Sequence, residues 1–291
     1  MANAELLTAR SSRVKAARRL RRRIVRSSER SFLAEGPQAV REALRRPDCV
    51  VEVFATYVVT TRHDELQALA DGGGVPWHLV DEAALKGLAD TVNPQGVVAV
   101  CRFLDCSLES ALRPKGQRVG LVVVAADVRD PGNAGTLIRC ADAVGATAVV
   151  LAGASVDPYN GKAVRASAGS LFHLPVVREI AVRDAIESVR THGFGVLAAD
   201  GAGSLSLDAA ADSLLLGNAT AWLFGNEARG LSAELRELAD HVVRVPIYGG
   251  AESLNLATAA AVCLYASARA QRDRTDDPVA RTLGSPARAE A

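Results

Sequence analysis

The chain has 291 residues, 49% of them hydrophobic, and balances 34 Lys+Arg against 33 Asp+Glu for a net charge of +1, room for one large domain or two. No apolar run reaches the roughly 20 residues a membrane helix needs, which argues against a membrane protein. Five cysteines (Cys49, Cys101, Cys106, Cys140, Cys263) without a CxxC pair argue against structural zinc or disulfides, and point to a reduced, cytoplasmic protein.

Charge is unevenly placed. Residues 1–30 hold ten basic side chains, Arg10, Arg13, Lys15, Arg18, Arg19, Arg21, Arg22, Arg23, Arg26 and Arg30, against Glu5 and Glu29. Arg13 to Arg26 predicts an amphipathic helix with Val14, Ala17, Leu20 and Ile24 near one face. A solvated helix and a phosphate-gripping arm share this composition. Arg in place of Lys suits bidentate phosphate geometry, so Arg18, Arg19, Arg22 and Arg23 are candidates for RNA contact.

Residues 31–104 read as a small α/β domain. The pattern predicts a helix over 36–44, strand over 50–55 and again at Tyr57-Val58-Val59, and a short helix over 64–70. A strand from Trp77 to Val80 follows, then a helix capped by Asp81 and ending near Leu88, a turn at Asn93-Pro94-Gln95-Gly96, and a last strand to Cys101. His63 and His78 are lone histidines, and no catalytic constellation occurs here. Residues 105–118, polar and carrying Pro114 and Gly116, read as a linker.

From Val119 to residue 271 the pattern changes. Val119–Val124 is a buried strand by pattern, and Pro131, Gly132 and Gly135 predict a tight turn into a helix that Asn133 can cap. Arg139 follows six residues on, so an anion at this helix start could meet both a backbone N–H and a guanidinium. Strands near 148–151, 175–177, 194–198, 221–224 and 242–245 alternate with helices, one of which carries Lys162 and Arg165, the latter a further candidate for RNA contact. Alternation of this kind implies a parallel sheet with helices on both faces. The last two strands run into Gly-rich loops that bring Gly225, Glu227, Ser253 and Asn255 to the carboxyl edge of the sheet, where open α/β folds bind ligands. No GxGxxG or GxxxxGK[ST] occurs, so neither a dinucleotide fold nor a P-loop is supported, and no cluster has metal-ligand spacing. Residues 272–291 read as a disordered tail. The residues alone lead to a ligand-binding α/β domain with a basic, RNA-seeking arm, and they do not name a reaction.

Three blocks carry a resemblance that does. DVRDPGNAGTLIRCADAVGA (127–146), LFGNEARGLS (223–232) and VPIYGGAESLNLATAAAV (245–262) resemble, in order and spacing, the motifs of the SpoU-TrmH class of RNA ribose 2′-O-methyltransferases. FLAEGPQAVREALRR is similar to the start of the ribosomal-protein-like substrate-binding domain of several members, and DPYNGKAVRASAGSLF looks most like actinobacterial ribosomal-RNA members such as the thiostrepton-resistance methyltransferase.

The resemblance implies an α/β fold closed by a C-terminal trefoil knot, S-adenosylmethionine as cofactor, no metal, a homodimer, and large-subunit ribosomal RNA as substrate. A transfer-RNA ribose methyltransferase and a non-catalytic RNA-binding factor of the same fold are the alternatives. It also implies roles: Asn133 and Arg139 on the target ribose and its phosphate, Glu227, Ser253 and Asn255 organising Arg139 and the RNA, and backbone at Gly225, Val245, Ile247 and Leu254 cradling the cofactor. The resemblance also implies Arg139 as the base, yet a guanidinium, a poor base with a fork of N–H donors, suits phosphate clamping and hydroxyl orientation better. The small residues Ala257, Ala259, Ala260 and Ala261 fit a helix packed tightly in a knot, and an Ala-rich core helix has the same composition.

Overall fold

The computed structural model describes residues 6–113 and 119–276, which fall into two compact units. The first comprises the chain up to Asp105 together with Arg129–Arg139 and Val156–Val176; the second comprises Cys106–Val128, Cys140–Ser155 and the chain from Val177 on.

In the first unit α1 (Ser12–Arg19) and α2 (Arg23–Glu29) precede β1 (Ser31–Glu35), α3 (Pro37–Arg45), β2 (Val50–Ala55), α4 (Tyr57–Arg62), α5 (Asp64–Gly72), β3 (Trp77–Leu79), α6 (Glu82–Leu88) and β4 (Val97–Arg102). The sheet runs β1-β4-β2-β3, with β4 antiparallel to both neighbours and β3 parallel to β2. Val14, Ala17 and Leu20 are buried with Phe54, Leu85, Leu88 and Val98 in one core, so the basic arm is part of the unit. The expected single helix over 13–26 is two, because the turn tightens at Leu20–Arg22 (N–H donors three residues on from their acceptors) and Arg22 is extended. The break turns Ile24 out to 84% exposure and Arg26 inward. Arg26 is 5% exposed. Its Nη2 and Nε lie 2.7 and 3.1 Å from Asp157 Oδ2, and its Nη1 donates to the carbonyls of Leu20 and Arg21.

Two further elements differ from what the sequence pattern predicts. Tyr57–Val59, expected as strand, opens helix α4, because pairing of β2 with both β3 and β4 ends at Ala55 and leaves these residues no ladder to extend; the hydroxyls of Thr60 and Thr61 donate back to the carbonyls of Thr56 and Tyr57. Strand β1 went unread although its burial alternates, Phe32 and Ala34 inside.

The rest of the chain supplies α7 (Leu108–Leu112), β5 (Leu121–Ala126), α8 (Pro131–Ala143), β6 (Ala148–Ala152), α9 (Gly161–Ser167), β7 (Val176–Arg178), α10 (Val182–Thr191), β8 (Gly195–Ala199), β9 (Leu205–Ser206), α11 (Leu207–Asp212), β10 (Thr220–Phe224), α12 (Ala233–Glu237), β11 (His241–Arg244) and α13 (Leu256–Asp276). The seven strands form a sheet in the order β7-β6-β5-β10-β8-β11-β9, parallel from β6 through β9. Side chains alternate between its faces. Val122, Val124, Ala221, Leu223, Val196 and Ala198 join Ile186 and Val189 of α10 and Leu108, Ala111 and Leu112 of α7. Trp222 points the other way, fully buried, and donates from Nε1 to Ser267 of α13 at 2.9 Å. Helices therefore cover both faces, as the alternating pattern required. The stretch expected as linker contributes α7 to this core, and the part of the expected tail beyond Asp276 lies outside the described residues.

Candidate active site

In the first unit the start of α8 is built by Asp130, not by Asn133. Asp130 Oδ1 accepts the Asn133 N–H at 2.9 Å and its carbonyl accepts that of Ala134, which makes Asp130 the cap, Pro131 the first helical residue and Asn133 the third. Lys162 Nζ reaches Asp130 Oδ2 at 2.7 Å. That ammonium, with the Asn133 and Gly132 N–H groups, holds the Asp130 carboxyl below its ordinary value against the opposing cost of burial. Gly135 is helical rather than part of the turn: a Cβ there would fall 2.3 Å from the Ala163 carbonyl oxygen, so it permits α8 and α9 to touch. Arg139 projects from the same helix into solvent and has no carboxylate partner among the described residues.

The remaining expected site residues lie in the second unit, on loops leaving the carboxyl edge of the sheet. Phe224 pairs with Ala125 of β5 and Ala199 of β8, and Val243 with Ala199, so the ends of β5, β8, β10 and β11 share that edge. Gly225 is buried, and a Cβ on it would stand 2.3–2.6 Å from backbone atoms of Gly230 and Leu231. Asn226 closes this loop. Its main chain exchanges hydrogen bonds with Gly230, its Oδ1 accepts from the Ala228 and Arg229 N–H groups, and its Nδ2 donates to the Asp127 carbonyl at 2.9 Å. Sequence reasoning passed over Asn226, although an Asn between a strand end and a Gly is an Asx-turn signal. Glu227 is exposed beside it, 3.4 Å from Asn226 Nδ2.

After β11 the chain runs through Val245, Ile247, Ser253 and Leu254 without regular structure. Asn255 ends the run by capping α13, its Oδ1 accepting from the Ala257 and Thr258 N–H groups at 2.9 and 3.4 Å. Between Ile247 and Leu254 no backbone group has a hydrogen-bond partner among the described residues, while Ile247 and Leu254 are each 38% exposed. Donors and acceptors left open beside apolar side chains, on a ligand-binding edge, fit an adenosine: polar backbone for the base edge and aliphatic carbon for its faces.

The expected RNA contacts gather in the first unit. Arg18, Arg19 and Arg22 line an open groove with Lys15, Arg21 and Asp90, and Arg23 is exposed nearby in the chain. Arg165 is committed locally, 3.2 Å from Glu35 and 3.4 Å from Asp90.

The SpoU rRNA Methylase family profile matches residues 120–265, half of the chain. This protein belongs to that family. In this SpoU member residues 11–99 further match the MRM3-like substrate binding domain. The 23S rRNA (guanosine(2553)-2′-O)-methyltransferase RlmP of Bacillus subtilis strain 168 is 34% identical to it over 262 residues, covering 90% of this chain and 98% of the relative. Among solved structures, the AdoMet-bound rRNA methyltransferase from Sinorhizobium meliloti shares 31% identity at a TM-score of 0.75, covering 91% of this chain and 97% of that one. The SpoU methyltransferase AviRb from Streptomyces viridochromogenes in complex with AdoMet shares 30% at 0.75, covering 91% and 99%.

Proposed function

We propose that this SpoU family member transfers a methyl group from S-adenosylmethionine to a ribose 2′-hydroxyl of large-subunit ribosomal RNA. The observation that carries the reading is the run from Ile247 to Leu254, whose backbone has no hydrogen-bond partner among the described residues and which leaves the same sheet edge as the Gly225 loop, on a chain that aligns over nine-tenths of its length with a 23S rRNA ribose methyltransferase. The bound cofactor supplies an electrophilic sulfonium methyl. The chain's residues hold and orient. Backbone at Gly225, Val245, Ile247 and Leu254 holds the cofactor; Asn133 and Arg139 hold the ribose and its phosphate; Glu227, Ser253 and Asn255 organise Arg139 and the RNA. Arg139 acts as phosphate clamp and hydroxyl orienter, because a guanidinium presents a planar fork of N–H donors and no acceptor. The C-terminal segment forms a trefoil knot, the active form is a cytoplasmic homodimer, and the first unit grips RNA through Arg18, Arg19, Arg22, Arg23 and Arg165.

Tritiated methyl transfer to separated large-subunit ribosomal RNA and bulk transfer RNA tests this. Label in ribosomal RNA that protects one phosphodiester from alkali is the expected result; label in transfer RNA alone overturns the substrate. Arg139→Ala is expected to abolish transfer while binding the cofactor as the parent does, and normal turnover by that variant removes Arg139 from the site.

A further inference from the structure

In the four-stranded sheet of the first unit, four strand ends meet at one edge. Ala55 at the end of β2 pairs with Val97 at the start of β4 and with Leu79 at the end of β3, and Glu35 at the end of β1 pairs with Val98. Backbone hydrogen bonds continue past the strands: Thr56 N–H to the Gly96 carbonyl at 2.9 Å and Gly36 N–H to the Val97 carbonyl at 3.0 Å. The first turn of α4 and the loop from Ala89 to Gly96 therefore leave the sheet side by side.

That edge exposes what a folded unit ordinarily hides. Tyr57 is 72% exposed, Val58 65% and Val92 91%. The side-chain amides of Asn93 and Gln95, in the same loop as Val92, are exposed and have no partner among the described residues. The loop is nevertheless held in place. The Glu35 carboxylate, its side chain 8% exposed, accepts from the Asp90 N–H at 3.0 Å, from the Thr91 hydroxyl and from Arg165. Asp90, where the loop begins, also lines the groove of Lys15, Arg18, Arg19, Arg21 and Arg22. A cationic groove thus runs to the foot of an anchored loop that presents one aliphatic side chain and two open amides, and the adjoining first turn of α4 presents an aromatic ring and a second aliphatic side chain. Cations spaced along a path beside an exposed ring match a polynucleotide, whose phosphates need charge and whose unpaired bases need a stacking face.

We propose that this sheet edge receives an unpaired nucleobase of the RNA substrate, with Tyr57 stacking on it, Val58 and Val92 flanking it, and Asn93 and Gln95 reading its edge. The proposal rests on the methyltransferase reading for the identity of the RNA, and it makes Tyr57 a specificity residue rather than a catalytic one.

The test is equilibrium binding of the full-length protein to large-subunit ribosomal RNA at several salt concentrations, with methyl transfer measured in parallel. Stacking on one aromatic ring contributes enough that Tyr57→Ala is expected to bind about tenfold or more weakly, and Tyr57→Phe within about twofold of the parent. Tyr57→Ala should leave the salt dependence of binding unchanged, since no phosphate contact is lost, whereas Arg18→Ala with Arg22→Ala should flatten it. Val92→Asp, at a site too exposed to disturb the fold, should weaken RNA binding while cofactor affinity stays that of the parent. Unchanged RNA affinity in both Tyr57→Ala and Val92→Asp overturns the patch even if the parent enzyme methylates ribosomal RNA. Absence of methyl transfer by the parent overturns the enzymatic reading and leaves the binding comparison to judge the patch by itself.

Discussion

Asp130 does two jobs with its two carboxylate oxygens: Oδ1 caps α8 and Oδ2 pairs with Lys162. The cap is the larger of the two, because the ion pair is half-exposed and such pairs are worth little. Asp130→Ala is expected to lower stability by about 1 kcal/mol at neutral pH. Its pH dependence has a defined sign. The folded-state pKa is depressed, chiefly by the Lys162 hydrogen bond, so the stabilisation is present above the unfolded value and is lost as pH falls through the folded one. Thermal melts of parent and variant should differ at neutral pH and converge in acid below the ordinary carboxylate range; a gap that persists there would mean the carboxylate is not the source. Asn and Asp are equally good caps, so residue type alone allowed the expected cap at Asn133, three residues beyond the actual one. Pro131 was the legible cue: proline prefers the first helical position, which places the cap one residue earlier.

Among the elements, the loop from Gly225 to Gly230 is the most exacting. A methyl on Gly225 meets carbonyl and amide atoms of Gly230 and Leu231, and backbone cannot swing aside as a side chain tip does. Gly225→Ala must therefore open the Asn226–Gly230 bridge and draw Asn226 from the Asp127 carbonyl. A loss of about 2–4 kcal/mol together with loss of cofactor binding is expected. Gly249→Ala, where nothing lies within 4 Å of the added carbon, should leave the melting temperature unchanged. Calorimetry and cofactor titration on the two variants decide it, and a Gly225→Ala protein as stable as the parent would show that the loop yields more easily than its contacts imply. Elements governed by their own residues were legible: the apolar runs at 121–126, 148–152 and 220–224 are strands because a buried parallel sheet wants both faces apolar. Those governed by their surroundings were not. Strand β9 is two residues long and owes its existence to pairing with β11, and α4 is a helix of β-branched residues capping the end of a sheet. In the site, the positions of Gly225, Glu227 and Asn255 on edge loops were readable, whereas the organising role of Asn226 depends on a carbonyl about a hundred residues away in the chain.

At the scale of the whole molecule, the first unit is not contiguous in the chain, and its core shows why. The domain expected over residues 31–104 omits the segment Val156–Val176, yet Phe32 packs on Tyr159 at 4.7 Å and on Phe172 at 6.1 Å between ring centroids. The Tyr159 hydroxyl, forced well above its usual pKa by burial and by Asp105, donates to Asp105 and accepts from the Leu104 N–H. Arg26 is buried against Asp157, and removing one partner of a buried pair costs about 3–5 kcal/mol because the other is left charged in a dry setting. A fragment of residues 1–105 would carry Arg26 without Asp157 and Phe32 without either ring. It is expected to lack a cooperative melt at the temperature of the full chain and to bind a dye for exposed apolar surface. In the full-length protein Arg26→Met and Asp157→Leu should each be strongly destabilising, while the double variant recovers much of the loss, since an apolar pair of similar size leaves no charge behind. A 1–105 fragment with native-like amide protection and a sharp transition would mean that Val156–Val176 merely lies against the unit. The opposite result makes the basic arm, the four-stranded sheet and that segment one folding element, so that the surface offered to RNA forms only after the chain has been made at least as far as Phe172.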